Sequence, residues 1–272
     1  MFLDKYLFKR LNEMDFSNAK KIVFKVGTST MTHDNGKPNY KKFEELARIL
    51  SDLQNEDRKI VLVSSAAIAV GVDSMRLPER PASTAAKQAV AAVGQCELMF
   101  IYDKVFSEYN KTIGQVLMTK DGVDIRDRRD NIINTFNELF NYGVIPIVNE
   151  NDTVATDEVV FGDNDTLSAV VADCVNADLL VIITDIDGLY DKNPAENEDA
   201  KLIPEVKEIT SELFANAGGS GTSRGTGGMY TKLQAAQIAA KSHIPTAIIS
   251  GKNLHNIYEL LDGKQVGTVF LA

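Results

Sequence analysis

The 272-residue sequence contains few cysteines, no long apolar run and no excess of positive charge. Its two cysteines, Cys96 and Cys174, lie in apolar, helix-like patterns without a CxxC or Cys/His cluster. We therefore expect reduced core thiols in a cytoplasmic protein, with neither a disulfide nor a metal site. A net charge of −9 argues against nucleic acid as the main partner, because a phosphate backbone requires a basic face. No stretch is long and apolar enough to suggest a membrane span.

The N-terminal segment "MFLDKYLFKRLNEMDF" does not have the pattern of a signal peptide, because charged residues interrupt its apolar positions. Its apolar residues recur at helical spacing from Leu3 to Met14. We predict that residues 1–19 form a helical extension that packs on its own domain or on a neighbouring subunit.

From Lys20 onward, short runs rich in β-branched residues alternate with longer helical patterns. The predicted strands are "KIVFKV", "KIVLVSS", "TIGQVLM", "VIPIVN", "DLLVIITD", "TAIIS" and "VGTVFL". The predicted helices cover residues 40–54, 83–109, 126–141, 165–174, 232–242 and 253–261. Continuous apolar strands are typical of a sheet buried on both faces, and the helices are the crossovers that parallel strands require. The pattern predicts a three-layer α/β/α sandwich with a mostly parallel central sheet.

Polar residues follow the predicted strands, where the ligand of an open α/β sheet usually binds. Lys25 lies inside an apolar strand, which is costly unless the lysine meets an anion. The other strand ends carry Gly27, Ser64 and Ser65, Asn149 to Asp152, and Thr184 and Asp185.

The glycine-rich run "GGSGTSRGTGGMYTKLQAA", residues 218–236, precedes a helical pattern and contains Lys232. It matches neither the P-loop nor the dinucleotide-binding template. Backbone N–H groups at the start of a helix attract anions, so one interpretation is a phosphate-binding loop. A surface loop that leads into an ordinary helix is the alternative.

The segment "VNENDTVATDEVVFGDNDTLSA" contains two polar clusters about ten residues apart. Asn149 to Asp152 are too polar to prolong a buried strand, and Asp163 or Asn164 begins a helix as an N-cap or contributes to a site. If the intervening stretch folds back, the clusters form one polar wall. Its acids and amides would hold an ammonium group.

Together these motifs resemble the amino acid kinase family, and most closely its glutamate 5-kinase branch. The resemblance covers about Lys20 to Phe270. It depends on "VFKVGTS", "LVSSAAIAVG", "VIPIVNENDTVAT", "FGDNDTLSA", "ITDIDGLYDKNP" and "GTGGMYTKLQAA". It implies ATP-dependent phosphorylation of the glutamate γ-carboxylate, the first step of proline biosynthesis, with ATP and Mg2+ as cofactors. It also implies a homo-oligomer, proline as a feedback inhibitor and glutamyl phosphate reductase as pathway partner.

The resemblance also implies roles for individual residues. Lys25, Lys232 and Asp165 would be catalytic, with Asp165 organising the two lysines. The residues implied in ATP binding are Lys25, Thr184, Asp185, Thr226, Gly227, Gly228, Met229, Tyr230, Thr231 and Lys232. Those implied in substrate binding are Ser65, Asn149, Asp152, Asp163 and Asn164. Residues 20–175 would form the substrate-binding part of the kinase domain and residues 176–272 the nucleotide-binding part.

The sequence departs from the family pattern at two places. Ala66 stands where relatives usually have glycine, and the chain ends after "VGTVFLA", where many relatives continue into an RNA-binding-like PUA domain. We therefore expect a form without that domain. Two alternatives stay open: another amino acid kinase, such as acetylglutamate kinase, or a sensor without catalysis. Retention of both Lys25 and Lys232 argues against the sensor.

Overall fold

The computed structural model describes residues 15–154, 163–194, 196–217 and 228–272, and in these ranges eight strands form one sheet. The strands are β1 Lys21–Val26, β2 Lys59–Ser64, β3 Ile113–Met118, β4 Ile145–Glu150, β5 Leu179–Thr184, β6 Glu205–Val206, β7 Thr246–Ser250 and β8 Thr268–Phe270. Their order across the sheet is β3-β4-β2-β1-β5-β7-β8-β6. Neighbours pair in parallel from β3 to β7, whereas β8 is antiparallel to β7 and parallel to β6.

Helices cover both faces of the sheet. They are α1 Thr28–Met31, α2 Tyr40–Asn55, α3 Ala67–Ser74, α4 Thr84–Ser107, α5 Lys120–Asp124, α6 Arg126–Asn141, α7 Asn164–Val175, α8 Ser211–Asn216, α9 Met229–Lys241 and α10 Asn256–Leu261. One apolar cluster joins the sheet to α2, α3, α4 and α10, and a second joins it to α6, α7 and α9. The predicted three-layer α/β/α sandwich is therefore confirmed.

Successive side chains of β1 point to opposite faces of the sheet, and therefore to the two helical layers in alternation. Phe24 and Val26 belong to the cluster with α2 and α4, whereas Val23 belongs to the cluster with α7 and α9. Lys25 shares the side of Val23. The strand therefore directs its only interior lysine toward α7 and α9.

Several sequence expectations are wrong or fall outside the described ranges. Cys174 is buried as expected, but Cys96 is exposed, because it lies off the apolar stripe of α4 that contains Leu98 and Ile101. β4 continues through Asn149 and Glu150, both buried, although these residues were expected to end it. Residues 1–14 of the predicted N-terminal helix lie outside the described residues, whereas Phe16 and Ala19 belong to the core. The domain bounds at residues 19 and 175 stay predictions.

Helices α3 and α4 pack so closely that they require glycine at their crossing. A Cβ atom at Gly94 would lie 1.8 Å from the carbonyl oxygen of Ala67 and 2.6 Å from the backbone nitrogen of Gly71. Neither backbone atom can turn away as a flexible side chain would. This contact fixes α4 against the first turn of α3, which directly follows Ser65.

We expect Gly94→Ala to lower the free energy of unfolding by about 3 kcal/mol, the upper part of the usual range for overpacking a close contact. Urea denaturation checks this value. Val93→Ala is the matched control, because Val93 neighbours Gly94 on α4 but is 41% exposed. Equal stability of Gly94→Ala and the unmodified protein would show that the helices separate at little cost.

Candidate active site

The carboxyl ends of β4, β2, β1 and β5 meet at one edge of the sheet and form a cleft of about 940 Å3. Many of the residues singled out in the sequence line this cleft. They are Lys25, Gly27, Ser65, Asn149, Asp152, Asp163, Asn164, Asp165, Thr184, Asp185 and Lys232. Acids, amides and two lysines thus share one cavity, at the position where an open α/β sheet binds its ligand.

Asp165, in the first turn of α7, is fully buried and contacts two lysines of the cleft, Lys25 and Lys232. Its Oδ1 lies 2.5 Å from Lys25 Nζ, and its Oδ2 lies 3.1 Å from Lys232 Nζ. The Thr231 hydroxyl donates a second hydrogen bond of 2.8 Å to Oδ2. One carboxylate therefore holds two ammonium groups, supplied by β1 and α9, at the edge of the cleft.

The charges of neighbouring side chains keep the Asp165 carboxylate ionised. Burial alone would raise the pKa of Asp165, but the charges of Lys25 and Lys232 outweigh it and bring that pKa below its usual range. Burial lowers the pKa of Lys232, and the charge of Lys25 lowers it further, against the opposing effect of Asp165. Asp163 and Asp185 also act electrostatically on Lys25 and Lys232, so the surroundings are not positive overall, but the two ammonium groups are positioned to bind an anionic group directly.

The cleft also contains an amide network. Asn164 Nδ2 donates hydrogen bonds to Asn149 Oδ1 at 2.8 Å and to Ser65 Oγ at 3.0 Å. These bonds join the ends of β2 and β4 to the start of α7. The two polar clusters that were predicted to form one wall therefore both line the cleft. Residues 155–162, which connect them, lie outside the described residues.

Asp163 and Asp152 are two of the acidic residues that line the cleft. Asp163 is the N-cap of α7 and accepts a 2.8 Å hydrogen bond from the Thr166 amide, as the N-cap interpretation expected. Burial raises the pKa of Asp163 and of Asp152, and for Asp152 the charge of Arg80 acts in the opposite direction. A cationic ligand group beside them would offset this cost.

Of the residues expected at the nucleotide, Thr184 and Asp185 line the same cleft as Lys25 and Lys232. Thr184 ends β5, and its hydroxyl contacts Asp185 Oδ1 at 3.2 Å. Gly228 is the N-cap of α9, and Met229, Tyr230 and Thr231 form its first turn without lining the described cleft wall. Helix α9 therefore begins three residues before the predicted start at residue 232. Thr226, Gly227 and the preceding glycine run lie outside the described residues.

Ala66 has a left-handed backbone, with φ 88° and ψ 0°, between β2 and α3. Glycine adopts this conformation at little cost, whereas alanine is strained there. The turn geometry therefore explains why glycine would suit this position.

Sequence reasoning missed three side chains at or beside the cleft. Arg80 and Lys87 line its wall, and Gln95 hydrogen bonds to Asn149 from α4. An isolated glutamine inside a helical pattern carries no sequence signal of such a contact. In the described residues, no helix is long and apolar enough to cross a membrane, and no three acidic, histidine or cysteine side chains cluster as a metal site.

The sequence model of the amino acid kinase family matches residues 20–250, which contain every described residue of the cleft named above. The chain belongs to the amino acid kinase family. The matched range includes β1, β2, β4 and β5, the strands whose carboxyl ends form the cleft.

Curated members of the family with high similarity to this chain include glutamate 5-kinases. A glutamate 5-kinase from Clostridium perfringens (strain 13 / Type A) is 49% identical over 259 residues, covering 94% of this chain and 96% of that protein. A glutamate 5-kinase from Listeria monocytogenes (serotype 4a, strain HCC23) is 50% identical over 259 residues, covering 94% of each.

Solved structures share the amino acid kinase fold at low identity. Isopentenyl phosphate kinase from T. acidophilum, in a product complex, has a TM-score of 0.63 at 17% identity and covers 92% of this chain and 99% of its own. UMP kinase from Bacillus anthracis has a TM-score of 0.63 at 14% identity, covering 93% and 96%. At such identities the likeness concerns the fold alone.

Proposed function

We propose that the protein transfers the γ-phosphoryl group of ATP to the γ-carboxylate of L-glutamate and forms L-glutamyl 5-phosphate. The observation that carries this proposal is the buried Lys25–Asp165–Lys232 cluster, which shares one cleft with a group of amide and acidic side chains. An anionic phosphoryl group suits the lysine end, and the ammonium group of an amino acid suits the acidic end. The similarity to glutamate 5-kinases supports glutamate as the acceptor.

The reaction needs orientation and positive charge more than proton transfer. A γ-carboxylate is ionised at neutral pH, so its oxygen attacks the γ-phosphorus without a general base. The new carboxylate–phosphorus bond forms as the bond to the bridging oxygen of ADP breaks. Lys25 and Lys232 would stabilise the charge that spreads over the phosphoryl oxygens, while Asp165 holds both ammonium groups in place.

Magnesium completes the proposal as the ion that accompanies ATP. Mg2+ usually retains waters and binds substrate phosphates with one or two carboxylates, so the lack of a three-ligand cluster among the described residues is compatible with it. Asp185 is the carboxylate of the cleft next to Thr184, at the proposed nucleotide end. When bound, Mg2+ would neutralise phosphate charge.

The proposal also includes the residue roles, pathway partner, regulation and assembly that the resemblance implies. Thr184, Asp185 and the segment from Thr226 to Lys232 would bind ATP, and Ser65, Asn149, Asp152, Asp163 and Asn164 would bind glutamate. A reductase that accepts an acyl phosphate, such as glutamyl phosphate reductase, would consume the product. Feedback by proline and a homo-oligomeric assembly belong to the proposal as well.

A comparison of acceptors tests the proposed function. Release of ADP is measured with glutamate, acetylglutamate, aspartate and UMP, with hydroxylamine present to trap an acyl phosphate as a hydroxamate. We expect glutamate to give the highest kcat/KM and a hydroxamate in equal amount to ADP. Preference for acetylglutamate would favour the other amino acid kinase, and ligand binding without any turnover would favour the sensor.

Asp152→Asn is expected to stabilise the free protein while weakening glutamate binding. Burial raises the folded-state pKa of Asp152. The ionised carboxylate therefore lowers the free energy of unfolding at pH values above that pKa, whereas the protonated carboxyl in acid does not. The variant should melt about 2 °C higher at neutral pH, a shift that corresponds to less than about 1 kcal/mol. Its glutamate KM should rise at least about tenfold, because a charged hydrogen bond to the ammonium group is lost.

Calorimetric melting at neutral and acidic pH, together with glutamate KM, checks both parts. Asp187→Asn is the control, because Asp187 is an exposed carboxylate outside the described cleft wall. An unchanged KM would remove Asp152 from the glutamate site. A lower melting temperature at neutral pH would mean that the carboxylate is well paired in the free protein.

A further inference from the structure

A chain of side-chain amides leads from helix α4 to the acceptor side of the cleft. Asn149 Nδ2 donates a 2.9 Å hydrogen bond to Gln95 Oε1, and Asn149 Oδ1 accepts the 2.8 Å bond from Asn164 Nδ2. Gln95 is absent from the cleft wall formed by the described residues. It lines a smaller groove of about 380 Å3 beside β3, together with Gln115.

The direction of these bonds determines what Asn164 presents to the cleft. An amide nitrogen carries two hydrogens, and those of Asn164 are directed to Asn149 and Ser65. No side chain or amide of the described residues donates to Asn164 Oδ1. The oxygen, which only accepts, is therefore the part of Asn164 available to a ligand.

Gln95 stands at the start of the chain, where its Oε1 accepts the hydrogen bond that sets the direction of the others, while its Nε2 is buried without a hydrogen-bond partner among the described residues. Asn149 is 4% exposed, so neither end of its amide can exchange its partner for bulk water. If the acceptor at residue 95 is removed, Asn149 can turn its amide over and donate to Asn164 instead. Asn164 would then turn as well and present its NH2 group, which cannot accept a hydrogen bond from an ammonium group.

The same face of α4 also holds the end of β2. Tyr102 follows Gln95 by seven residues, or two helical turns, and its hydroxyl shares a 2.7 Å hydrogen bond with Ser64 Oγ. Tyr102 is fully buried, and Gly94 fixes the helix closely against α3. Helix α4 is thus a rigid support for the ends of both β2 and β4.

We infer that Gln95 is a positioning residue that orients Asn149 and Asn164 so that an acceptor oxygen faces the ammonium group of the substrate. The inference rests on the proposed function for the identity of that substrate. Gln95 does not line the described wall of the cleft that would hold the substrate, so it would act through Asn149. Its loss should weaken acceptor binding and leave the lysine cluster unchanged.

Steady-state kinetics of matched variants test this role. Gln95→Met and Gln95→Ala remove the acceptor, whereas Gln95→Glu retains one. We expect the first two to raise the glutamate KM about tenfold, as the loss of a buried hydrogen-bond network predicts, with kcat and the ATP KM within about twofold of their original values. Gln95→Glu should restore the glutamate KM to within about threefold of the original.

Gln115→Met is the control, because Gln115 lines the same groove but lies on the exposed edge strand. Melting temperatures identify any variant whose fold is damaged. If either Gln95→Met or Gln95→Ala does not fold, the other still tests the inference. An unchanged KM in the folded acceptor-free variants would overturn the inference, as would an equal rise for Gln95→Glu. If the unmodified protein uses a different acceptor, the proposed function fails, and the KM for that acceptor tests Gln95 in the same way.

Discussion

Replacement of either cleft lysine, in Lys25→Ala or Lys232→Ala, is expected to lower kcat about 10²–10³-fold, as removal of one charge-stabilising group does in other active sites. Both ammonium groups are held on Asp165, so each is oriented before substrate binds. Their charge matters most while the phosphoryl group passes between oxygens. The glutamate KM should therefore change much less than kcat.

Initial rates at varied glutamate and ATP concentrations check this separation. Lys241→Ala is the matched control for Lys232→Ala, because Lys241 lies on the same helix but is exposed. Burial lowers the pKa of Lys232, so kcat of the unmodified protein should fall with rising pH before an ordinary lysine loses its proton. Unchanged kcat with weaker ATP binding would mean that the lysines only bind the nucleotide.

Loss of the central carboxylate, in Asp165→Ala, is expected to cost about 3–5 kcal/mol of unfolding free energy, the usual effect of leaving a buried charge without its partner. Here two buried lysines lose the same partner, and the Thr231 hydroxyl loses its acceptor. Activity should also be lost, because the ammonium groups no longer share a fixed position. The folded-state pKa of Asp165 is lowered, so its contribution is present at neutral pH and disappears in acid.

Urea denaturation of Asp165→Ala at neutral pH measures this loss. Asp173→Ala on the same helix is the control, because Asp173 pairs with Arg129 but its side chain is 33% exposed. That partly solvated pair should cost much less, about 1 kcal/mol or below. A similar loss of unfolding free energy in both variants would mean that burial of the Lys25–Asp165–Lys232 cluster does not increase the cost of removing its carboxylate.

The strands and the position of the site could be predicted because both follow from local rules. Buried parallel strands appear as continuous apolar runs, and "TAIIS" and "KIVFKV" match β7 and β1 residue for residue. A lysine inside such a run indicated an anionic partner, and Lys25 indeed meets Asp165. Helix α6, Arg126–Asn141, also has its predicted bounds.

The errors arise where tertiary contacts outweigh local preference. Asn149 prolongs a buried strand because Gln95 and Asn164, distant in sequence, satisfy its amide. Cys96 was expected in the core because the helical pattern around it is largely apolar, yet its side chain is exposed on α4. The short strand β6 and helix α8 lack enough residues to show a period.

Attack of the glutamate γ-carboxylate on ATP is the central claim, and transfer of an oxygen isotope tests it most directly. Glutamate labelled with heavy oxygen in its γ-carboxylate is incubated with the protein, Mg2+, ATP and hydroxylamine. Hydroxylamine cleaves an acyl phosphate at its carbonyl carbon, so the released phosphate keeps the bridging oxygen. Phosphorus NMR should show one labelled oxygen in each phosphate, with glutamyl hydroxamate in equal amount. Unlabelled phosphate would mean that water attacks ATP, and would contradict the proposed reaction.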